Sequence, residues 1–259
     1  MGKIFVTGDK HGDYSELSDK LSRYETSTQD VVIILGDHGA LYYEDQGADI
    51  KKKWLSSLPA TFICIRGNHD HRPDCAAYHH KLIEINKPTH AGWFYVDEKY
   101  PNTLYTKEYG WYRFGTKRVF VIGGAFSVDK YKRIRMQESG FTGYLWFSDE
   151  QLYPRERDDA QCQLVKEANG EFYVMSHTVP MKYVPRDTFM PCVNQKTVDN
   201  TMELWLNELE DGLQYQKWYC GHWHIDRTQD KVEFLYECVM LFDEIEDNKN
   251  ESGNSQAAT

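Results

Sequence analysis

Asp9 and His11, then Asp37, then Asn68, His69 and Asp70, then His177, then His222 and His224 stand in five short segments, each just past an apolar run. Carboxylate oxygen, amide oxygen and imidazole nitrogen are donors that hard and borderline divalent cations accept. Five of the chain's ten histidines belong to this set. Asp9 and His11 are two residues apart at a strand end, as are His222 and His224, so each pair can point one way. Any one of these residues has a plain use: a Gly-Asp after a strand is usually a turn, and a single His there usually satisfies a hydrogen bond. Five such segments together point instead to one shared metal centre. His79, His80 and His90 lack companions of this kind and read as surface or packing residues.

Converging those segments requires a sheet edge. Residues 3–7, 31–35 and 61–65 are apolar runs, and residues 14–24 between the first two carry apolar side chains at helical spacing. Residues 51–58 read as a second helix, and residues 74–80, after Pro73, as a third. Apolar strands alternating with helices imply a parallel sheet covered on both faces, with ligands at the carboxyl ends of its strands. Further on, residues 103–108, 111–114 and 118–123 look like hairpin-connected strands, and 148–169 like a long charged helix. Strands are expected at 171–175, 217–220, 231–236 and 238–242, with a helix at 198–209. No repeat or flexible linker divides the chain, which reads as one domain with two halves of sheet over residues 1–243.

Composition excludes several classes. The formal charge is −10, from 30 basic and 40 acidic residues, which argues against coating extended nucleic acid by phosphate neutralisation. Residues 243–259 hold five acids and one Lys; the segment 244–259 reads as a disordered acidic tail. No apolar run approaches the roughly 20 residues of a membrane span. Asp9 comes too early for a signal peptide, and Val6 does not fit myristoylation, so a cytoplasmic protein is expected. None of the six cysteines forms a C-x-x-C pair; Cys64 and Cys220 lie in apolar runs and read as buried thiols.

Asp9-x-His11, Gly36-Asp37, Gly67-Asn68-His69-Asp70, His177 and Gly221-His222-x-His224 resemble, in order, the motif set of the calcineurin-like metallophosphoesterases. The resemblance implies an α/β fold, a four-layer αββα sandwich with mixed sheets and a metal site at the carboxyl ends of the strands. It implies two divalent metal ions, with manganese favoured over iron, zinc or magnesium. Asp9, His11, Asp37 and His224 would hold the first, and Asp37, Asn68, His177 and His222 the second, with Asp37 bridging. A metal-bridging hydroxide would attack phosphorus in line, and protonated His69, oriented by Asp70, would assist the leaving group. The implied substrate is a phosphorylated small molecule, nucleotide or phosphoprotein, cleaved as monoester or diester. A nuclease of the same fold and a non-catalytic protein-binding scaffold are the alternatives; the complete ligand set argues against the scaffold, and the acidic balance against the nuclease.

One motif departs from the pattern. Gly36-Asp37-His38-Gly39-Ala40 carries Ala40 where relatives have Asp or Asn, and Tyr42 where related phosphatases have a phosphate-gripping Arg. Asp70, Glu44 and Asp45 are then the candidates to support His69. The basic run behind Gly123-Gly124 offers a replacement clamp from a loop, with Arg133 preferred over Lys130 for its planar fork. His38 and His71 read as hydrogen-bonding supports, with a substrate contact open to His38.

Overall fold

The computed structural model describes residues 2–44, 46–141 and 143–245. The first half of the sheet is built from β1 (Gly2–Thr7), β2 (Val31–Ile34), β3 (Thr61–Cys64) and β6 (Thr103–Thr106), all parallel, with β13 (Val239–Ile245) antiparallel outside β1. The second half sets β8 (Lys117–Ile122), β9 (Tyr173–Ser176), β10 (Trp218–Cys220) and β12 (Val232–Phe234) parallel, edged by β11 (Arg227–Gln229). Two antiparallel strands, β5 (His90–Val96) and β7 (Tyr109–Phe114), join the halves, and β4 (Lys81–Asn86) pairs β5 outside this path.

The sheet curls so that its halves face each other, and strand alternation sorts the side chains. Ile4, Val31, Ile33 and Ile63 from one half pack with Val119, Val121, Met175 and Tyr219 from the other in a central core. The opposite faces take the helices. Phe5, Val32, Ile34 and Phe62 meet Leu17 and Leu21 of α1 (Ser15–Arg23) and Ala48 and Leu55 of α2 (Gln46–Ser56). Phe120, Ile122, Val174 and Trp218 meet Ala160 and Leu164 of α4 (Pro154–Glu167), with Met202 and Leu206 of α5 (Thr201–Asp211). Three interlayer cores make four layers, helix, sheet, sheet, helix, as the resemblance implies. Each fully buried Leu or Phe in them contributes about 1.5–3 kcal/mol.

Several local readings need correction. Residues 74–80 form turns, not a helix: the segment is short, and Tyr78 is committed to donating to the carbonyls of Leu41 and Tyr43. The expected helix from 148 begins only at Pro154, which suits a first helical position, while the Glu156 carboxylate accepts from the Tyr153 N–H at 2.8 Å. Lys130 and Arg133 lie not in a loop but on α3 (Lys130–Glu138), a helix with no buried residue and hence no apolar periodicity to reveal it. The hairpin β4–β5 was also not apparent, because β4 is almost wholly exposed. Cys64 and Cys220 are buried free thiols. No helix among the described residues is long and apolar enough to cross a membrane. Residues 246–259, most of the segment read as a tail, and Asp45 lie outside the described residues.

Candidate metal centre

The five segments leave the carboxyl ends of β1, β2, β3, β9 and β10, three in one half of the sheet and two in the other. The chain reverses sharply to keep their side chains together. Asp37, His11, His224 and His222 all adopt left-handed backbone, with φ of 44°, 47°, 50° and 67°. Four such non-glycine residues in one place is stored strain, which persists where surrounding structure enforces it. Gly36 has φ +100°, and a Cβ there would fall 2.0 Å from His177 Nδ1. A Cβ on Gly67 would fall 2.0 Å from Asp37 Oδ1. The glycines of the motifs are therefore the space the neighbouring donors occupy.

Two groups of donors result, sharing Asp9: Asp9, His11 and His224, and Asp9, Asp37 and His177, each with its ligand atoms within 4.8 Å of one another. His11 Nε2 and His224 Nε2 stand 3.0 Å apart, and His224 Nε2 is 3.2 Å from Asp9 Oδ2. Asp37 divides its oxygens, with Oδ1 3.5 Å from His177 Nε2 and Oδ2 3.8 Å from His11 Nδ1. His177 also lies 2.8 Å from Asn68 Oδ1, while its other nitrogen meets the Leu35 carbonyl at 2.8 Å. That carbonyl makes Nδ1 the donor, so the Nε2 lone pair is turned toward Asn68 Oδ1, two acceptors side by side as two ligands of one ion would be. His222 presents its ring edge to His177, with centroids 5.0 Å apart, and its N–H donates to Asp9 Oδ1.

The donor set fits divalent cations. Asp9 Oδ2 is buried yet accepts no hydrogen bond of adequate geometry, and a buried carboxylate oxygen left so is costly unless an ion completes it. Two imidazole nitrogens each about 2.0–2.1 Å from one ion stand about 3 Å apart, as those of His11 and His224 do. Burial pushes the Asp9 carboxyl up, but His177, His224 and His11 outweigh it and hold the group below the usual range. Burial, with His177 beside it, pulls His222 down to about 3. Both are in the unprotonated form that a ligand needs.

Around this centre the remaining candidates separate. Arg133 enters from α3: its Nη2 is 3.2 Å from His69 Nε2, its Nη1 donates to the Tyr42 hydroxyl at 3.2 Å, and its Nε pairs with Asp129 at 2.7 Å. It thus reaches the site against the Tyr42 hydroxyl. Lys130 does not follow it; its ammonium lies 4.4 Å over the Trp146 ring. Asp70 does not face His69. It is buried and accepts from the N–H groups of Gly39, Gly67 and His38 at 2.9, 3.0 and 3.2 Å, with His38 Nε2 3.4 Å away. His38 is buried behind the donors with it and lines neither of the cavities that open on them. Glu44 turns to His71 and Cys75 instead of His69, at 3.7 Å from each.

Those cavities complete the site. One of about 560 Å³ opens beside His222 and His224, walled by Phe189, Met190, Val193, Val198, Trp223 and Ile225. A second of about 310 Å³ opens on the other side, walled by Tyr42, Tyr43, Lys51 and Tyr144. The sequence reading missed both walls. Trp223, between two motif histidines, was the one available pointer.

Comparison with known proteins agrees with this architecture. The family model described as calcineurin-like phosphoesterase matches residues 2–226. One similar solved structure, 12% identical, covers 90% of this chain and 89% of its own with a TM-score of 0.50. Phosphopantetheinyl hydrolase from Mycobacterium tuberculosis is 15% identical over 91% of this chain and 88% of its own, with a TM-score of 0.45. Sulfate thiohydrolase SoxB from Thermus thermophilus is 16% identical, covering 88% of this chain and 38% of its own, with a TM-score of 0.35. No curated protein matches the sequence.

Proposed function

Because this chain belongs to the calcineurin-like phosphoesterase family, we propose that it hydrolyses a phosphoester of a small molecule with two divalent cations, manganese first among them, at the centre described above. The convergence of five donors, Asp9, His11, Asp37, His177 and His224, from both halves of the sheet around the unsatisfied Asp9 Oδ2 carries this reading, with Asn68 and His222 against His177 beside them. Asp9, His11, Asp37 and His224 would hold one cation, and Asp37, Asn68, His177 and His222 the other. The diverging oxygens of Asp37 suit it to bridge the two. Such a pair supplies Lewis acidity to the phosphoryl oxygens and a water of lowered pKa.

The protein's own part is positioning and proton control. Arg133 offers its fork to a non-bridging phosphoryl oxygen. His69 then faces the departing oxygen. Without substrate, Arg133 occupies His69 Nε2; an incoming phosphoryl group draws the guanidinium to itself and frees that nitrogen. Extended nucleic acid finds little purchase, since among the described residues Arg133 is the single Lys or Arg lining the larger cavity. The test is hydrolysis of p-nitrophenyl and bis-p-nitrophenyl phosphate by protein stripped with chelator and reloaded with one metal at a time. Turnover that returns with manganese supports the reading, and none with any metal refutes it.

A further inference from the structure

His11, Asp37, His69 and Arg133 line both cavities, so the reacting centre is a saddle between two separate spaces of about 560 and 310 Å³. A phosphomonoester has one organic arm and fills one such space. A phosphodiester has two, leaving phosphorus in different directions. The geometry points to a phosphodiester monoanion as the substrate class, with a flat aromatic or apolar arm in the larger cavity and a smaller polar arm in the other. This rests on the hydrolase reading above.

Charge supports the assignment. A monoester dianion needs more cationic help from the protein than a diester monoanion. Here Tyr42 and Tyr43, on the wall of the smaller cavity, bring no positive charge. Arg133 shares its charge with Asp129, and the Lys51 ammonium of the smaller cavity is spent on the Gly12 carbonyl at 2.7 Å. Among the described residues the larger cavity offers no further Lys or Arg for a second phosphate. Its chemistry is apolar: the Phe189 and Trp223 rings are 18° from parallel with centroids 6.3 Å apart, flanked by Met190, Val193 and Ile225. Parallel aromatic faces favour a planar group laid along them.

The reaction balances as hydrolysis of one ester bond. Water oxygen forms a new bond to phosphorus, one P–O bond breaks, and the departing alkoxide takes a proton from that water. The products are one alcohol and one phosphomonoester.

The manganese-loaded protein is assayed with bis-p-nitrophenyl phosphate and p-nitrophenyl phosphate, alone and as Phe189→Ala. The diester should be preferred by about 10-fold or more in kcat/KM, and Phe189→Ala should raise KM for it several-fold at unchanged metal content and similar kcat. Equal or better hydrolysis of the monoester would overturn the diester assignment while leaving the hydrolase reading intact. Hydrolysis of neither would overturn both. An unchanged KM in Phe189→Ala would overturn the placement of the aromatic arm.

Discussion

Arg133 Nη2 stands 3.2 Å from His69 Nε2, and a guanidinium has only donors, so the imidazole must accept. His69 is therefore neutral, with its proton on Nδ1. Burial is the main reason its pKa falls to about 3; Asp37 opposes the fall, while Arg133, His11 and His222 add to it. In the resting site its lone pair is held by Arg133; a protonated His69 at the leaving group, as the resemblance implies, would therefore gain its proton during the reaction.

Removing His69 should spare the metals, because its Nε2 is 4.0 Å from Asp37 and belongs to neither donor group. His69→Ala is expected to keep full metal content while kcat falls by about 10²–10⁴. Esters with poor leaving groups should suffer more than p-nitrophenyl esters. Elemental analysis beside steady-state kinetics checks this, and metal loss in step with activity would reassign His69 as a ligand.

Arg133 should matter twice. Its guanidinium joins α3 to Tyr42 and to the Leu145 carbonyl, and its side chain is only 12% exposed. Arg133→Ala is expected to lower kcat/KM by roughly 10-fold or more, about 1.4 kcal/mol of transition-state binding, and also to lower thermal stability. That second effect follows from its place on a helix with its guanidinium bonded to Tyr42, Leu145 and Asp129 rather than in a loop. Arg133→Lys should recover less than half of the lost kcat/KM, since a point charge cannot reproduce the fork. Full rescue by Lys would show that charge alone is used.

Asp37→Asn should weaken both metals. One oxygen serves the His177 side and the other the His11 side, and an amide keeps only one acceptor oxygen, without charge, while its NH₂ cannot ligate. In the parent protein, saturating manganese should raise the melting temperature, since a ligand at about 100 times its Kd stabilises by about 2.7 kcal/mol. The rise should shrink strongly in Asp37→Asn. Two full metal equivalents in that variant, by elemental analysis, would refute the bridging role.

The donors were legible in the sequence because each follows an apolar strand and each is of a type that metals accept. Asp9, Asp37 and His177 needed only the strand to be recognised. What escaped was whatever carries no periodicity. Helix α3 buries no side chain, so Arg133 looked like loop. The wall bearing Phe189 and Val193 runs through short 3₁₀ turns such as Met181–Tyr183 and Arg186–Thr188, which no repeat of apolar residues announces. Asp70 was misread for a different reason. Adjacency to His69 suggested contact, but residues 68–70 form a turn that brings the Asp70 carboxylate back onto the Gly67 N–H.

Asp70 supplies the last prediction. Its carboxylate ties the Gly67 N–H of one loop to the His38 and Gly39 N–H groups of another, and so fixes the loop of Asn68 against the loop of Asp37. In Asp70→Asn, an amide NH₂ replaces one oxygen. If it takes the place of Oδ2, it faces two backbone donors; if it takes Oδ1, it faces one. Each buried N–H left unmatched costs about 1–3 kcal/mol, and 1 kcal/mol shifts the midpoint of a domain this size by about 2–4 °C. The melting temperature should therefore fall by several degrees, and manganese affinity with it, because the two loops each carry donors. At saturating manganese, kcat should recover most of its value. Were Asp70 instead the orienting partner of His69, kcat would drop about as far as in His69→Ala with the melting temperature unchanged, and that result would reverse the assignment.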